Sequence, residues 1–526
     1  MDEEKKMIQQ DIDTEVLSAY TSIPYALINS ELKDSSQSSE YLAEMGQIMK
    51  FYTIYRKGND FPVEGSHGDY VPANLRYKMA SSLVNKEARF LFGETPDITL
   101  VPPQDAGKLS DEQKRTMQGW NSLVRKVLKQ NHFESQLLKA AKDCFIGKRV
   151  AALVNFNTED GITLTFLPAT QFVFETKNND INLLTKFVAF IVIQEALSST
   201  KKRIFKKKYE VVYNEVTNRN EVYLSEGIYD GTGTLMESLI ENRLTNLQSI
   251  PAVVFLNDGL TGDLKGESEI DLLKDFELWY SKLSSADIDA ERKSMYPTKY
   301  TVDMDPQSTK NLSSGVGAFW DLQSDQNLDK PAPAVGTIEP VMSYSETLKT
   351  SLDRIKTVGY EQIDMPNITL ETMQGSITSG KALKAIYWPL IVRCKEKMKM
   401  WGPSLAAMID IIVLGAKAYP HIQLRYVDDE LLNPYYEVHV EQVLPLPEDE
   451  DEEKQLDIAE VEAKVMSRKA YMKKWRYLSD EEVEEELRQI AYERQVLEDA
   501  EFMPDIDGYN ANLPSDERQS EPDELS

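Results

Sequence analysis

From Gly266 the chain reads GESEIDLLKDFELWYSKLSSADIDAERKSM to Met295, and no helix breaker interrupts it until Pro297. Ile270, Leu273, Phe276, Trp279 or Tyr280, and Leu283 recur every three or four positions, which sets them in one stripe on one helical face. Past Leu283 the segment turns polar but stays unbroken. A helix of that extent is about 43 Å long, against ~11–12 residues for an average globular helix. The predicted element therefore outruns a single compact core, and its apolar stripe would be left exposed on a lone chain.

The flanking segments predict an α+β chain. The first hundred residues read as helices and loops, with Leu75, Met79, Leu83 and Phe90 near a helical period and Gly93 where a helix would stop. A second helical stretch is expected over about Asp111 to Ala141. From Val150 to about Phe255 the texture turns to strands: AALVNF and ITLTFL flank Asp160-Gly161, a hairpin signal, and FVAFIVIQ, YEVVYNEV, EVYLSEGIY and PAVVF follow. Residues 296–341 form a small insert rich in proline, and Ser343 to about Asp364 is helical again. After a polar stretch, DMPNITLETMQGSITSG, the run KALKAIYWPLIVRCKEKMKMWGPSLAAMIDIIVLG reads as one long helix bent at Pro389 and Pro403. Strands return at IQLRYV and YYEVHVEQV.

The chain has 526 residues and a formal net charge of −28. That balance argues against a protein that coats nucleic acid by neutralising phosphates, but not against one that lets nucleic acid slide past. The segment from Glu448 onward carries 26 acidic residues against 10 basic ones and reads as charged helix to about Ala500, then a Pro- and Asp-rich tail over 501–526 expected to be disordered. Cys144 and Cys394 are too few for a disulfide framework. The N-terminus has no signal-peptide pattern, and the longest apolar run, Leu405 to Leu414, is interrupted by Asp410 and too short for a bilayer.

The candidate chemistry is thin. Gly375 to Lys381 fits seven positions of the phosphate-cradling loop G-x-x-x-x-G-K-[ST], but Ala382 lacks the hydroxyl for magnesium and no apolar strand precedes Gly375. The four histidines, His67, His132, His421 and His439, are scattered, and neither cysteine lies in a catalytic signature. The one basic cluster, Lys201 to Tyr209, reads as a solvated strand rim. No active site, cofactor or metal is expected.

Three strings nevertheless resemble the portal proteins of tailed bacteriophages, of the type found in long-tailed phages of Gram-positive hosts. KFYTIYRKG from Lys50 followed by NLRYKMASSLVNKEARFLFGETPDI is similar to the family's N-terminal wing segment. The Gly266–Pro297 run resembles its first stem helix, entered through Gly-x-Ser. P-x4-E-x3-G-x3-S-G-x-A-L-K, from Pro366 to Lys384, is similar to the tunnel-loop segment that opens the long wing helix. The resemblance covers roughly residues 45 to 445.

The resemblance implies the portal fold: a mixed α/β wing, two long stem helices, a small α/β clip, a long kinked wing helix and a helical crown. Mapped here, the N-terminal wing takes residues 1–265, stem helix 1 residues 266–295, the clip 296–342 and stem helix 2 343–364. The tunnel loop takes 365–379, the long wing helix and wing strands 380–447, and the crown 448–500. It implies a non-enzymatic, dodecameric head–tail connector at one capsid vertex, assembled in the host cytoplasm. Double-stranded DNA passes through it without sequence-specific binding; no membrane is involved. The implied partners are the chain itself, the terminase large subunit, a head-completion or adaptor protein, and the major capsid and scaffolding proteins. Asn367, Thr369, Glu371, Thr372, Gln374, Gly375, Ser376 and Thr378 are the expected DNA-facing tunnel residues. Asp303, Asp305 and Trp320 are the expected clip docking surface, and Ile270, Leu273, Phe276, Trp279 and Leu283 the stem packing residues. The alternatives are a P-loop motor subunit and another structural ring protein of the head–tail joint.

Overall fold

The computed structural model describes residues 23–32, 35–62, 71–103, 110–157, 161–194, 202–295, 298–305, 307, 322–324, 332, 334–338, 343–368, 380–419, 436–445, 450–476 and 480–501. The fold is α+β, 51% helical and 27% strand. It divides into two units. The first holds residues 1–377 and 383–445, the second residues 378–382 and 446–526.

The first unit opens with α1 (Tyr25–Asn29), α2 (Ser35–Lys57), α3 (Met79–Phe92), β1 (Asp97–Val101), α4 (Asp111–Gln130) and α5 (Phe133–Gly147). Ser110 and Gln113 form a reciprocal capping box at the start of α4. The expected single helix over 111–141 is two helices, because Asn131 interrupts it. Its side-chain amide donates to Val127 O (2.8 Å) and Ile162 O (2.9 Å) and its Oδ1 accepts from Leu164 N (2.8 Å). His132 then takes a left-handed conformation, φ 48°, and α5 leaves in a new direction.

Strands follow as β2 (Arg149–Asn157), β3 (Gly161–Pro168), β4 (Phe172–Lys177), β5 (Asp180–Gln194), β6 (Lys202–Asn214), β7 (Arg219–Asp230), β8 (Leu235–Leu244) and β9 (Ala252–Leu256). The expected hairpin pairs β2 with β3 and closes at Asn157↔Gly161. Two antiparallel sheets result, ordered β3-β2-β9 and β4-β5-β6-β7-β8. Val150 to Val154 of β2 are all buried, so both faces of that strand are covered and the run reads continuously apolar instead of alternating. Phe172, Phe187 and Val222 of the larger sheet share one core with Ala151, Leu153 and Val254 of the smaller.

The other face of β5 and β6 corrects the reading of the basic cluster as a solvated rim at Lys206 and Lys207, while Arg203 stays exposed. Ile23, Leu27 and Ile28 cover Val188, Phe190 and Ile204 there. Beside that cover Glu31 is ion-paired to Lys206 and, at 3.1 Å, to Lys186. Lys207, on the opposite strand face, pairs with Glu226 at 3.0 Å. These lysines keep only 10–12% of their side-chain surface. Lys186, Lys206 and Lys207 are internal counter-ions.

Next come α6 (Glu269–Met295), the hairpin β10 (Thr298–Val302) with β11 (Ala334–Ile338), α7 (Ser345–Glu361), α8 (Gly380–Ile386), α9 (Trp388–Ala418) and β12 (Glu437–Glu441), which pairs with β1. α6 and α7 pack on each other. In the hairpin Tyr300 lies across from Gly336, where a Cβ would stand 2.5 Å from the ring. The expected bend at Pro389 is a break. Tyr387 leaves helical geometry between α8 and α9, and Pro389 sits in the first turn of the new helix, where its missing N–H is harmless. Pro403 remains inside α9, and Ser404 Oγ donates to Met400 O at 3.3 Å nearby. α9 is long and apolar enough to cross a membrane by length and composition, yet it packs on β2 and β9, with Trp401 fully buried against Phe92 and Phe255. The IQLRYV segment lies outside the described residues.

The second unit carries α10 (Glu450–Glu462), α11 (Arg468–Arg476) and α12 (Asp480–Glu501). Lys464, φ 60°, ends α10 with Val465 N bonded to Glu460 O at 2.9 Å. Met472 and Val483 are its buried apolar residues, and Asp457 accepts from Trp475 Nε1 (2.6 Å) and pairs with Lys474 (2.8 Å).

Candidate functional site

Nothing among the described residues assembles a catalytic centre. Among the described residues, no group of three or more His, Cys, Asp or Glu could hold a metal ion. Cys144 and Cys394 are buried; burial pushes the Cys394 thiol up to about 12 and the Cys144 thiol further, so neither forms a thiolate nucleophile. His132 serves at a helix break and His439 sits in β12 opposite Thr99. Of the phosphate-loop-like string only Gly380 and Lys381 are described, and they open α8.

The chemistry that is present holds α6 in place, at two sites. The first is at the helix start. Gly266, φ 73°, passes so close to Lys148 that a Cβ would lie 2.6 Å from its carbonyl oxygen. Ser268 then caps the helix, donating to Ile146 O (2.7 Å) and accepting from Ile270 N (3.2 Å). Glu269 follows into a buried ionic cluster with Glu87 of α3 and Arg393 and Lys397 of α9. Lys397 Nζ stands 2.8 Å from Glu87 Oε1 and 2.5 Å from Glu269 Oε1; Arg393 reaches Glu87 through Nε (2.9 Å) and Glu269 through Nη2 (2.7 Å). Asn257 donates to Glu269 (3.0 Å) and accepts from Lys397 (2.8 Å). Burial opposes ionisation of Glu269, but Lys397 and Arg393 outweigh it and hold the carboxyl at about 2. Burial and the neighbouring Glu269 push Glu87 the other way, and its Oε2 accepts no hydrogen bond. The four charges sum to zero, which makes their burial tolerable.

The second site runs along α6. Glu277, Ser281, Ser285 and Asp289 fall four residues apart, on one face. Glu277 accepts from Ala80 N (2.8 Å) and Asn59 N (3.0 Å), Ser281 from Tyr77 N (3.2 Å), Ser285 from Leu75 N (2.9 Å) and Asp289 from Ala73 N (2.9 Å). Arg292 Nη1 completes the series on Val71 O at 3.1 Å. Segment 71–78 thus hangs on α6 by alternate backbone amides. Glu277 also caps α3, whose own N-cap residue Lys78 makes no side-chain cap bond.

The expected stem residues divide. Ile270 and Leu273 are fully buried, Phe276 and Leu283 half-buried, and Trp279 is 55% exposed. The face that α6 turns inward beyond Leu273 is the polar ladder, not the apolar stripe. Leu272, Ile288 and Met295 are exposed as well. Asp303 and Asp305 lie just past β10 and support local structure: Asp303 Oδ2 accepts from Ala332 N (3.0 Å) and Asp305 Oδ1 from Gln307 N (3.1 Å). Trp320 is outside the described residues. So are Thr369, Glu371, Thr372, Gln374, Gly375, Ser376 and Thr378; Asn367 is described and exposed.

Sequence reasoning missed both anchoring sites. Their signals were present: Glu87 between Val84 and Ala88, and Lys397 between Cys394 and Met398, are charges on apolar faces, and the ladder is a four-residue polar repeat.

Among known proteins, no curated protein matches the chain. The family profile described as "Phage portal protein, SPP1 Gp6-like" matches residues 37–497, which includes both anchoring sites and all of α6 and α7. The chain belongs to this phage portal protein family, and is a head–tail connector component of the virion capsid.

Proposed function

We propose that the protein forms a ring of twelve at one capsid vertex, that terminase pumps double-stranded DNA in through its tunnel, and that the DNA later leaves the same way. One observation carries the ring: α6 is held by the ladder and by α7, yet part of its apolar stripe stays uncovered by its own chain. Leu272 and Trp279, seven residues apart and so on one side of α6, stand in solvent, and a second copy of the chain is the surface that fits them.

In this reading α6 and α7 are the stem, and residues 296–342 the clip that docks terminase during packaging and a head-completion protein afterwards. Residues 365–379 are the loop facing DNA and 448–500 the crown. The net charge of −28 per copy supports a conduit. A stem of about 40 Å surrounds roughly 24 duplex phosphates, and a basic lining would hold the DNA where an acidic or mixed one lets it slide. Light scattering and negative-stain images of the purified protein test the ring. A large annular particle with a flange and narrow stem is expected; a monodisperse 60.0 kDa species at micromolar concentration would sink the proposal. Gln374→Lys with Ser376→Lys tests the loop: packaging should slow most at low salt, where added positive charge is least screened, and an unchanged rate at every ionic strength removes the loop from the DNA path.

A further inference from the structure

The guanidinium of Arg393 reaches two helices and the turn that ends a third. Two of its contacts are the buried carboxylates Glu87 and Glu269. The third is Asp364, where Nη1 lies 3.6 Å from Oδ2 at a half-exposed carboxylate. Glu269 is the first residue of α6, and Asp364 lies three residues past the last residue of α7. The excursion of the chain through α6, the β10–β11 hairpin and α7 therefore starts and finishes at one side chain.

The end of α7 shows why Asp364 matters. Met365 N bonds to Tyr360 O (3.0 Å) and Asp364 N to Glu361 O (3.1 Å), a complete Schellman stop with Asp364 in its left-handed position at φ 53°. Glycine is the residue favoured there, because it alone takes that conformation without strain. Here a side chain occupies the position, and it is a carboxylate facing the one guanidinium that also grips the start of α6.

We propose that Arg393 is a positioning residue that holds the end of α7 against the start of α6 through Asp364, and so fixes the direction in which residues 365–368 leave the helix. This rests on the portal reading only for what the following residues face. The buried legs of Arg393 form the fixed mount. The Asp364 leg is longer than a hydrogen bond and partly exposed, so salt screens it: the mount is rigid and the tether releasable.

A nitroxide on Asn367→Cys tests this. Asn367 is exposed, whereas Cys144 and Cys394 are buried, so the label is selective. Asp364→Gly removes the tether while keeping the Schellman stop and the buried cluster. In the otherwise unmutated protein at low salt the label should be restrained, and 1 M salt should speed its motion about 1.4- to fivefold, the range of an exposed ion pair. In Asp364→Gly the motion should be fast at low salt and indifferent to salt. Asp364→Glu, which keeps the carboxylate, should restore salt-sensitive restraint. Arg393→Met paired with Glu87→Gln removes the guanidinium without leaving a net buried charge, and should behave as Asp364→Gly does. A label equally restrained with and without the Asp364 carboxylate, or equally salt-sensitive in both, overturns the proposal. Negative-stain images of the same samples score the ring separately, so absence of rings would count against the portal reading and leave the nitroxide comparison readable.

Discussion

Lys397 is buried, and its ammonium is shared between Glu87, Glu269 and Asn257, with the Phe145 ring centroid 3.9 Å away. Removing it leaves two carboxylates facing one guanidinium. Lys397→Met should destabilise the protein by about 3–5 kcal/mol, and Lys397→Met with Glu87→Gln, which restores neutrality, should recover most of that; urea denaturation followed by circular dichroism reads both. A second residue carries a pH signature. Asp143, which accepts from Tyr52 Oη at 3.0 Å, is raised by burial to about 6 from 3.8. Because its folded value lies above its unfolded one, the folded state binds that proton more tightly. The ionised carboxylate therefore weakens the fold above pH 6, and the penalty fades as pH falls from about 6 toward 3.8. Asp143→Asn should raise the melting temperature at pH 8 and change it little at pH 4; equal effects at both would show that the carboxylate is not strained. Glu269 has the opposite sign: its contribution is full above 4.5 and is lost as pH falls toward 2. Neither group was legible in the sequence, because one charge on an apolar face reads the same whether it is paired or merely points outward. Only the packing of α2 on α5 for Asp143, and the crossing of α3, α6 and α9 for Glu269, brings the partners together.

At the scale of elements, α6 was the most legible feature, and its packing the least. An unbroken run with an apolar repeat gives a helix, and Ile270 and Leu273 are buried as the stripe implies. The stripe then parts from the buried face, because the ladder takes the inward side with serines and carboxylates that bond to backbone amides. Composition cannot distinguish such serines from solvent-facing ones. Ser281→Ala and Ser285→Ala should each cost about 1–3 kcal/mol by stranding the amides of Tyr77 and Leu75. Hydrogen exchange at those two amides should quicken, and unchanged exchange would show that water replaces the bond. The split of the expected helix over 111–141 has the same cause. Asn131 is a modest helix residue in sequence, and only its three bonds to α4 and β3 turn it into a corner.

For the whole molecule, Trp279→Ser should leave the unfolding free energy of the dissociated protein within about 0.5 kcal/mol of the parent, since the ring is already exposed. It should raise the concentration needed for rings to form, as light scattering over a dilution series would read. A chain ending at Pro445 should keep the first unit folded, because the division into units falls at that point; loss of cooperative melting would show that the acidic helices are needed for folding. The α+β class and the family were readable from segment order, since each string keeps its spacing even where its contacts are hidden. The ladder on α6 has one more consequence. Four helical residues advance about 6.0 Å, while two residues of extended chain advance about 6.6 Å. The two scales slide past each other like a vernier, drifting about 0.6 Å per rung. The two such steps from Ser281 to Asp289 accumulate about 1.2 Å, and at that point a short Ser or Asp gives way to the long reach of Arg292. The strap therefore limits its own length. A relative with a longer α6 would gain bare helix beyond the last rung, not more rungs.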